Sequence, residues 1–107
     1  MKTRIFETDV SIRAHTEFPG NSSIVISHNM KMKPDYIGKG FAHEEQTRSL
    51  AFMKRGGYKY ALCCVNYKNN AQIKILRKAG WKKLDTFYND CTCEFTILFG
   101  KDLTSRE

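Results

Sequence analysis

Residues 37–42, Ile-Gly-Lys-Gly-Phe-Ala, are the part of this sequence whose residue types and spacing are best suited to chemistry. They lie between the end of a predicted strand and the start of a predicted helix. Glycine has no Cβ, so the backbone at Gly38 and Gly40 can pass close to a bulky anion. The unpaired N–H groups of the helix's first turn then point at that anion, and the helix dipole favours its negative charge. The segment therefore predicts a cradle for a pyrophosphate, with a plain turn before a helix as the alternative.

Two other phosphate-binding loops do not match this segment. The G-x4-G-K-[ST] spacing of nucleoside-triphosphate-binding loops is absent. The segment also lacks the third glycine of a dinucleotide-binding fingerprint and the later acidic residue that holds a ribose. The loop alone thus predicts an anion site but does not identify the anion.

The chain before this loop has the alternating pattern of strands. Residues 4–14 predict one half-buried strand, and residues 24–32 predict a second strand that forms an antiparallel hairpin with it. Pro34 ends the second strand because proline cannot donate to a ladder. In the first strand the polar side consists of Glu7, Asp9, Ser11 and Arg13, opposite Phe6, Thr8, Val10, Ile12 and Ala14. In the second strand one face consists of Ile24, Ile26, His28, Met30 and Met32.

From residue 40 onward the hydrophobic period changes to that of a helix. Residues 40–55 predict an amphipathic helix that ends at Gly56-Gly57. The remaining predicted elements are a buried strand over 58–65, a helix over 70–79 capped by Asn69, and two strands near 81–88 and 91–99 joined by a tight turn at Asn89-Asp90. The predicted order is β-β-α-β-α-β-β, in a single domain over residues 1–107.

Composition and charge limit the classes of protein. A chain of 107 residues with 41% hydrophobic residues has enough apolar material for one core and too much for a disordered tail. No apolar run is long enough to cross a bilayer, and Glu7 and Asp9 interrupt any secretory signal, so we expect a cytoplasmic protein without membrane contact. The basic net charge of +7 favours an anionic partner: nucleic acid, an acidic protein surface or a phosphorylated cofactor. Plain solubility explains the charge equally well, and no nucleic-acid motif is present.

The four cysteines, Cys63, Cys64, Cys91 and Cys93, are predicted to be free thiols in strands. Neighbours in a strand point to opposite faces, so Cys63 and Cys64 cannot easily share one ligand. Neither pair has the C-x2-C spacing of zinc sites, and we expect no metal.

Two segments together resemble the signatures of the GNAT N-acetyltransferase superfamily. Residues 34–42 resemble its acetyl-CoA motif, [QR]-x-x-G-x-[GA]. Residues 65–71, continuing to Gly80-Trp81, resemble its downstream signature: an Asn at a strand end, a helix opening with Ala, and Gly-[Phe/Trp] after the helix. Both occur in the family's order, about one helix and one strand apart. The resemblance implies a short GNAT-like α/β (α+β) fold whose mixed, mostly antiparallel sheet has splayed central strands, here 24–32 and 60–65.

The resemblance also implies an activity: transfer of an acetyl group from acetyl-CoA, as co-substrate, to an amine that attacks the thioester directly. The acceptor is a small molecule or a protein. The catalytic residues that we expect are His28, as the base, and Asn66, which orients the acceptor. The residues expected to bind acetyl-CoA are Met30, Met32, Ile37, Gly38, Lys39, Gly40, Phe41, Ala42 and Asn69.

Ile37 replaces the Gln or Arg that opens the motif, which should weaken acetyl-CoA binding without abolishing it. Two further departures support an alternative, a non-catalytic GNAT-fold binding or structural protein with a vestigial acetyl-CoA site. Leu76 replaces the helix tyrosine that protonates the leaving thiolate. The N-terminal part is short, because only one strand precedes strand 24–32 in the prediction. We therefore also expect a homodimer or a partner protein to cover the resulting gap.

Three of the candidate residues have structural interpretations as well. His28 shares an otherwise apolar face, so it is either a general base or a hydrogen-bonded core histidine. Asn69 either contacts the cofactor or only caps a helix. Lys39 either meets a phosphate of CoA or is an exposed loop lysine.

Overall fold

The computed structural model describes residues 2–104, apart from the side chains of Ser22 and Asn29. This part of the chain forms six strands, two α-helices and one short 3-10 turn. The elements in chain order are β1 (Thr3–Glu7), β2 (Ser11–Phe18), β3 (Asn21–Met32), the 3-10 turn (Pro34–Tyr36), α1 (Ala42–Arg55), β4 (Tyr60–Asn66), α2 (Asn70–Lys78), β5 (Lys82–Asn89) and β6 (Glu94–Asp102).

The strands form one sheet in the order β1-β2-β3-β4-β6-β5. All neighbours are antiparallel except β3 and β4, which are parallel. The predicted α+β class and the mixed, mostly antiparallel sheet are confirmed.

The prediction of one strand over residues 4–14 is wrong, because the chain turns back between Glu7 and Ser11. Here β1 and β2 form a hairpin in which Glu7 pairs with Ile12. The hydroxyl of Thr8 accepts the backbone N–H groups of Val10 and Ser11, each at 3.1 Å, and these bonds stabilise the turn. The alternation of apolar residues continues through this short turn, so periodicity could not reveal it. The observed order is therefore β-β-β-α-β-α-β-β, with two strands before β3.

The central strands separate over most of their length, as the resemblance implied. The strands β3 and β4 pair only where Ile24, Val25 and Ile26 face Tyr60, Ala61 and Leu62. Beyond that point β3 continues to Met32 and β4 to Asn66 without pairing to each other. A bulge in β3 accompanies the separation, since Ile12 pairs with Lys31 and Ala14 pairs with His28. Arg13 is thus opposite two residues of β3 instead of one.

Both helices cover the same face of the sheet. Met53 of α1 and Leu76 of α2 belong to one buried cluster that also contains Ala61, Cys63 and Val65 of β4. The intervening residue Cys64 is exposed on the opposite face, as predicted for neighbours in a strand. In the described chain that opposite face carries no helix, and three of its large apolar side chains, Ile5, Leu84 and Phe87, remain exposed.

Candidate functional site

The loop between the 3-10 turn and α1 has the backbone of an anion cradle. Gly38 and Gly40 have φ angles of 73° and 83°, which residues with a Cβ rarely adopt. A Cβ at either glycine would meet no atom within 4 Å. The glycines are therefore required by the backbone conformation, and the loop is open to a ligand. Ile37 is 63% exposed, and its side chain carries no polar group that could contact an anion.

Several backbone N–H groups of this loop have no acceptor among the described residues. Ile37 and Lys39 donate to the carbonyl oxygens of Pro34 and Tyr36, at 3.5 and 3.4 Å. The first hydrogen bond of α1 runs from the N–H of Glu45 to the carbonyl of Phe41, at 3.0 Å. The N–H groups without an acceptor in residues 2–104 include those of Gly38, Gly40, Phe41 and Ala42. Unpaired N–H groups at a helix N-terminus, together with the helix dipole, suit an anion such as a pyrophosphate.

A cavity of about 180 Å³ opens where β3 and β4 separate, and we call it the splay cavity. It brings together four of the residues predicted from the sequence: His28, Met30, Asn66 and Asn69. Met32 and the segment 37–42 do not line it; they belong to the end of β3 and to the loop that follows. Its other lining residues are Arg13, Ser27, Gln46, Cys63, Cys64, Val65, Gln72, Leu76 and Trp81.

His28 is half-buried, and its Nε2 lies 2.7 Å from the hydroxyl of Thr16 on β2. This hydrogen bond fixes the ring and occupies one of its two nitrogens. Both interpretations of His28 therefore remain open, since the residue is hydrogen-bonded within the protein and also lines the splay cavity.

Asn66 and Asn69 shape the start of α2 at the rim of the splay cavity. The side-chain oxygen of Asn69 accepts the N–H of Gln72 at 3.2 Å, which is the predicted helix cap. The side-chain oxygen of Asn66 accepts the N–H of Lys68 at 2.9 Å. These bonds use the amide oxygens, and both NH₂ groups make no hydrogen bond to another described residue.

Leu76 is 1% exposed, and its side chain packs in the core at the wall of the splay cavity. A leucine cannot donate a proton, so position 76 offers no acid. Tyr67 and Tyr88 lie edge-on to Phe95, with ring centroids 6.2 and 5.6 Å away, and neither lines the cavity.

Arg13 and Gln46 are the residues of this site that sequence reasoning missed. Arg13 was predicted on the polar side of a half-buried strand, yet it is 3% exposed. Its Nη1 donates to the side-chain oxygen of Gln46 on α1, at 3.2 Å. Burial lowers the pKa of the Arg13 guanidinium, and the nearby Glu45 opposes that shift. No sequence signal marks Arg13, because its burial depends on the polar face that α1 turns toward β2.

Glu45 is also fully buried, and the turn between β1 and β2 holds it. Its Oε1 accepts hydrogen bonds from the hydroxyls of Thr8 and Ser11, the latter at 2.7 Å. Arg48 lies 3.3 Å from Oε2. The carboxylate is thus satisfied by partners other than Arg13.

Several solved structures with the same architecture are acetyltransferases by name. A spermidine/spermine N-acetyltransferase from Vibrio cholerae superimposes with a TM-score of 0.76 at 13% identity, covering 89% of this chain and 60% of the other. A proposed acetyltransferase from Salmonella typhimurium, solved with acetyl-CoA, gives 0.75 at 14% identity, covering 92% and 60%. The chain has the GNAT fold. The ribosomal-protein-S18-alanine N-acetyltransferase from Escherichia coli shares it, with a TM-score of 0.73 at 13% identity over 92% and 64% of the two chains.

This chain spans about three fifths of the length of the first GNAT-fold structures that it matches. No protein-family model matches the sequence, and no curated protein is significantly similar to it. Within residues 2–104, no helix is long and apolar enough to cross a membrane. The same residues contain no group of three or more His, Cys, Asp or Glu side chains placed to hold a metal ion.

Proposed function

We propose that this protein binds acetyl-CoA and transfers its acetyl group to an amine. The observation that carries the proposal is the exposed loop in which Gly38 and Gly40 lead into α1 and leave backbone N–H groups without an acceptor in the described chain. Such groups at a helix N-terminus suit a pyrophosphate. The backbone of residues 38–42 would hold the pyrophosphate of CoA, and Lys39 would meet one of its phosphates.

The other end of the ligand would follow β3 into the splay cavity. Beyond Ile26 the edge of β3 is not paired with β4, so the backbone at Met30 and Met32 is available to the pantetheine arm. Asn69 would contact that arm from the cap of α2. Acetyl-CoA supplies a thioester carbonyl that an amine can attack without a covalent enzyme intermediate.

The residues at the cavity would manage the acceptor and its proton. As the new N–C bond forms and the C–S bond breaks, the amine loses a proton and the thiolate gains one. His28 would accept the amine proton, directly or through water, because its hydrogen bond to Thr16 leaves one ring nitrogen available. Asn66 would orient the acceptor through its side-chain NH₂ group. Leu76 leaves protonation of the thiolate to water.

The acceptor is an amine, and the neighbours in the fold include enzymes for both small and protein acceptors. One is named for spermidine and spermine, and another for the alanine of a ribosomal protein. A spermidine N-acetyltransferase from Vibrio cholerae is described as dodecameric. A homodimer or a partner protein stays a prediction for this chain, and light scattering tests it. A cytoplasmic location also stays a prediction.

One observation favours a second candidate function, a non-catalytic binding or structural protein. Leu76 stands where the family has its proton donor, and its burial excludes any replacement group at that point of the wall. Such a protein would retain the GNAT fold and an acetyl-CoA site without turnover.

The experiment that tests the two candidates follows the release of free CoA thiol from acetyl-CoA in the presence of the protein and an amine. The acceptors are spermidine, free amino acids and a short peptide with an N-terminal alanine. Thiol release that requires both protein and amine supports transfer. Calorimetric binding of acetyl-CoA without thiol release from any amine supports the second candidate. No binding at millimolar acetyl-CoA contradicts both.

A further inference from the structure

Arg13 is a buried cation whose hydrogen-bonding capacity is mostly unused. A guanidinium carries five N–H donors and no acceptor. Only Nη1 has a partner, the oxygen of Gln46, whereas Nε and Nη2 are buried and have no acceptor among the described residues. Burying a charge with unpaired donors costs free energy unless a partner satisfies those donors.

No acidic side chain competes for these two nitrogens within the splay cavity. The residues that line the cavity include no Asp or Glu, and Arg13 is the only one with a permanent charge. The carboxylate whose charge acts on Arg13, that of Glu45, is engaged by Thr8, Ser11 and Arg48. The cavity therefore presents a positive group that an anion from outside the chain can satisfy.

The two unused nitrogens define the shape of that anion. Nε and Nη2 form one edge of the planar guanidinium, from which two parallel N–H groups project. This edge matches the two oxygens of a carboxylate in a bidentate pair. The cavity of about 180 Å³ beside it has room for a few carbon atoms together with the carboxylate.

We propose that Arg13 binds the carboxylate of a substrate in the splay cavity. The carboxylate is either that of a dicarboxylic acyl group carried by CoA or that of an amino-acid acceptor. The inference extends the proposed function, because it specifies the chemical class of one substrate. Gln46 is a positioning residue, since its hydrogen bond to Nη1 holds the guanidinium while Nε and Nη2 stay unpaired.

The first arm of the test compares the calorimetric affinities of succinyl-CoA and butyryl-CoA, which have acyl chains of equal length. The second arm compares the thermal stabilisation given by glycine and succinate with that given by glycinamide and succinamide, without CoA. In at least one arm we expect the ligand with a carboxylate to bind about tenfold or more tightly than its matched ligand without one. A charge-assisted bidentate pair would give a preference of this size. The first arm identifies an acyl donor, and glycine in the second arm identifies an amino acid.

Two variants connect the preference to Arg13. Arg13→Met keeps the length of the side chain without its charge, and we expect it to abolish the preference. Gln46→Glu supplies an internal carboxylate beside the guanidinium, and we expect it to reduce the preference even if Arg13→Met fails to fold. Equal affinities in both arms for the wild type overturn the inference, and so does a preference that Gln46→Glu leaves unchanged. If CoA esters fail to bind but the second arm shows the preference, the proposed function fails while the carboxylate site stands.

Discussion

The imidazole Nε2 of His15 lies 3.0 Å from the hydroxyl of Ser49, in the fully buried interface between β2 and α1. The ring is flanked by Phe6 and Phe52, whose centroids are 5.9 and 5.5 Å away. Burial, together with the positive charge of Arg13, lowers the pKa of His15 to about 4. His15 is therefore neutral in the folded protein above about pH 4.

This histidine makes stability depend on pH on the acid side. Between pH 4 and 6.5 the unfolded chain binds a proton at His15 that the folded chain does not, so stability rises with pH and is complete above 6.5. We expect His15 to contribute at most about 3 kcal/mol to that rise. Chemical denaturation of wild type and His15→Gln from pH 4 to 7 measures it. The exposed control is His43→Gln. If the free energy of unfolding rises with pH as steeply in His15→Gln as in His43→Gln, the assignment to His15 is contradicted.

The helices of this fold were predictable from sequence because their signals are local. Helix α2 was predicted over 70–79 and is observed over Asn70–Lys78, with Asn69 as its cap. Helix α1 was predicted over 40–55 and begins two residues later, at Ala42. The strand β5 occurs within one residue of its prediction, whereas β6 begins three residues later than predicted, at Glu94. Residues 90–93 form a longer turn than the expected two residues, and Cys91 and Cys93 lie in that turn and not in a strand.

The N-terminal hairpin and the burial of Arg13 were not predictable in the same way. The turn at Thr8 depends on side-chain hydrogen bonds within an unbroken alternating pattern. The burial of Ser11 and Arg13 depends on the polar residues Glu45 and Gln46 of α1, which face them across the interface. Periodicity assigns polar residues to solvent, so it fails where two polar faces pack together.

Leu76→Tyr should raise turnover, because it restores a proton donor at the wall of the splay cavity. We expect about a tenfold or larger rise in the rate of CoA thiol release. The larger side chain must fit a site that is 1% exposed, so the free energy of unfolding should fall by about 1–3 kcal/mol. Leu76→Phe is the matched control, with the same ring and no hydroxyl. A rate gain of equal size in Leu76→Phe would show that packing, and not proton donation, is responsible.

His28→Ala should remove most of the pH dependence of transfer. If His28 accepts the amine proton, the rate of the wild type depends on its protonation, and the variant loses that pH dependence together with about 100-fold in rate. Thr16→Val, which removes only the hydrogen bond to the ring, should lose less rate and keep the pH dependence. An unchanged rate and pH profile in His28→Ala would mean that this histidine has only a structural role.

The central claim, that residues 38–42 cradle the pyrophosphate of CoA, is tested most directly by isothermal titration calorimetry with acetyl-CoA. Gly40→Asp places a carboxylate in the cradle, whereas Gly57→Asp places one at a glycine of similar backbone conformation, with φ angles of 83° and 87° and no atom within 4 Å of a Cβ at either position. Both variants should fold, because aspartate tolerates this conformation better than most residues. We predict that Gly57→Asp binds acetyl-CoA as the wild type does and that Gly40→Asp binds it at least about tenfold more weakly, because its carboxylate repels the phosphates. Equal binding by the two variants, or no binding by the wild type at millimolar acetyl-CoA, would contradict the account.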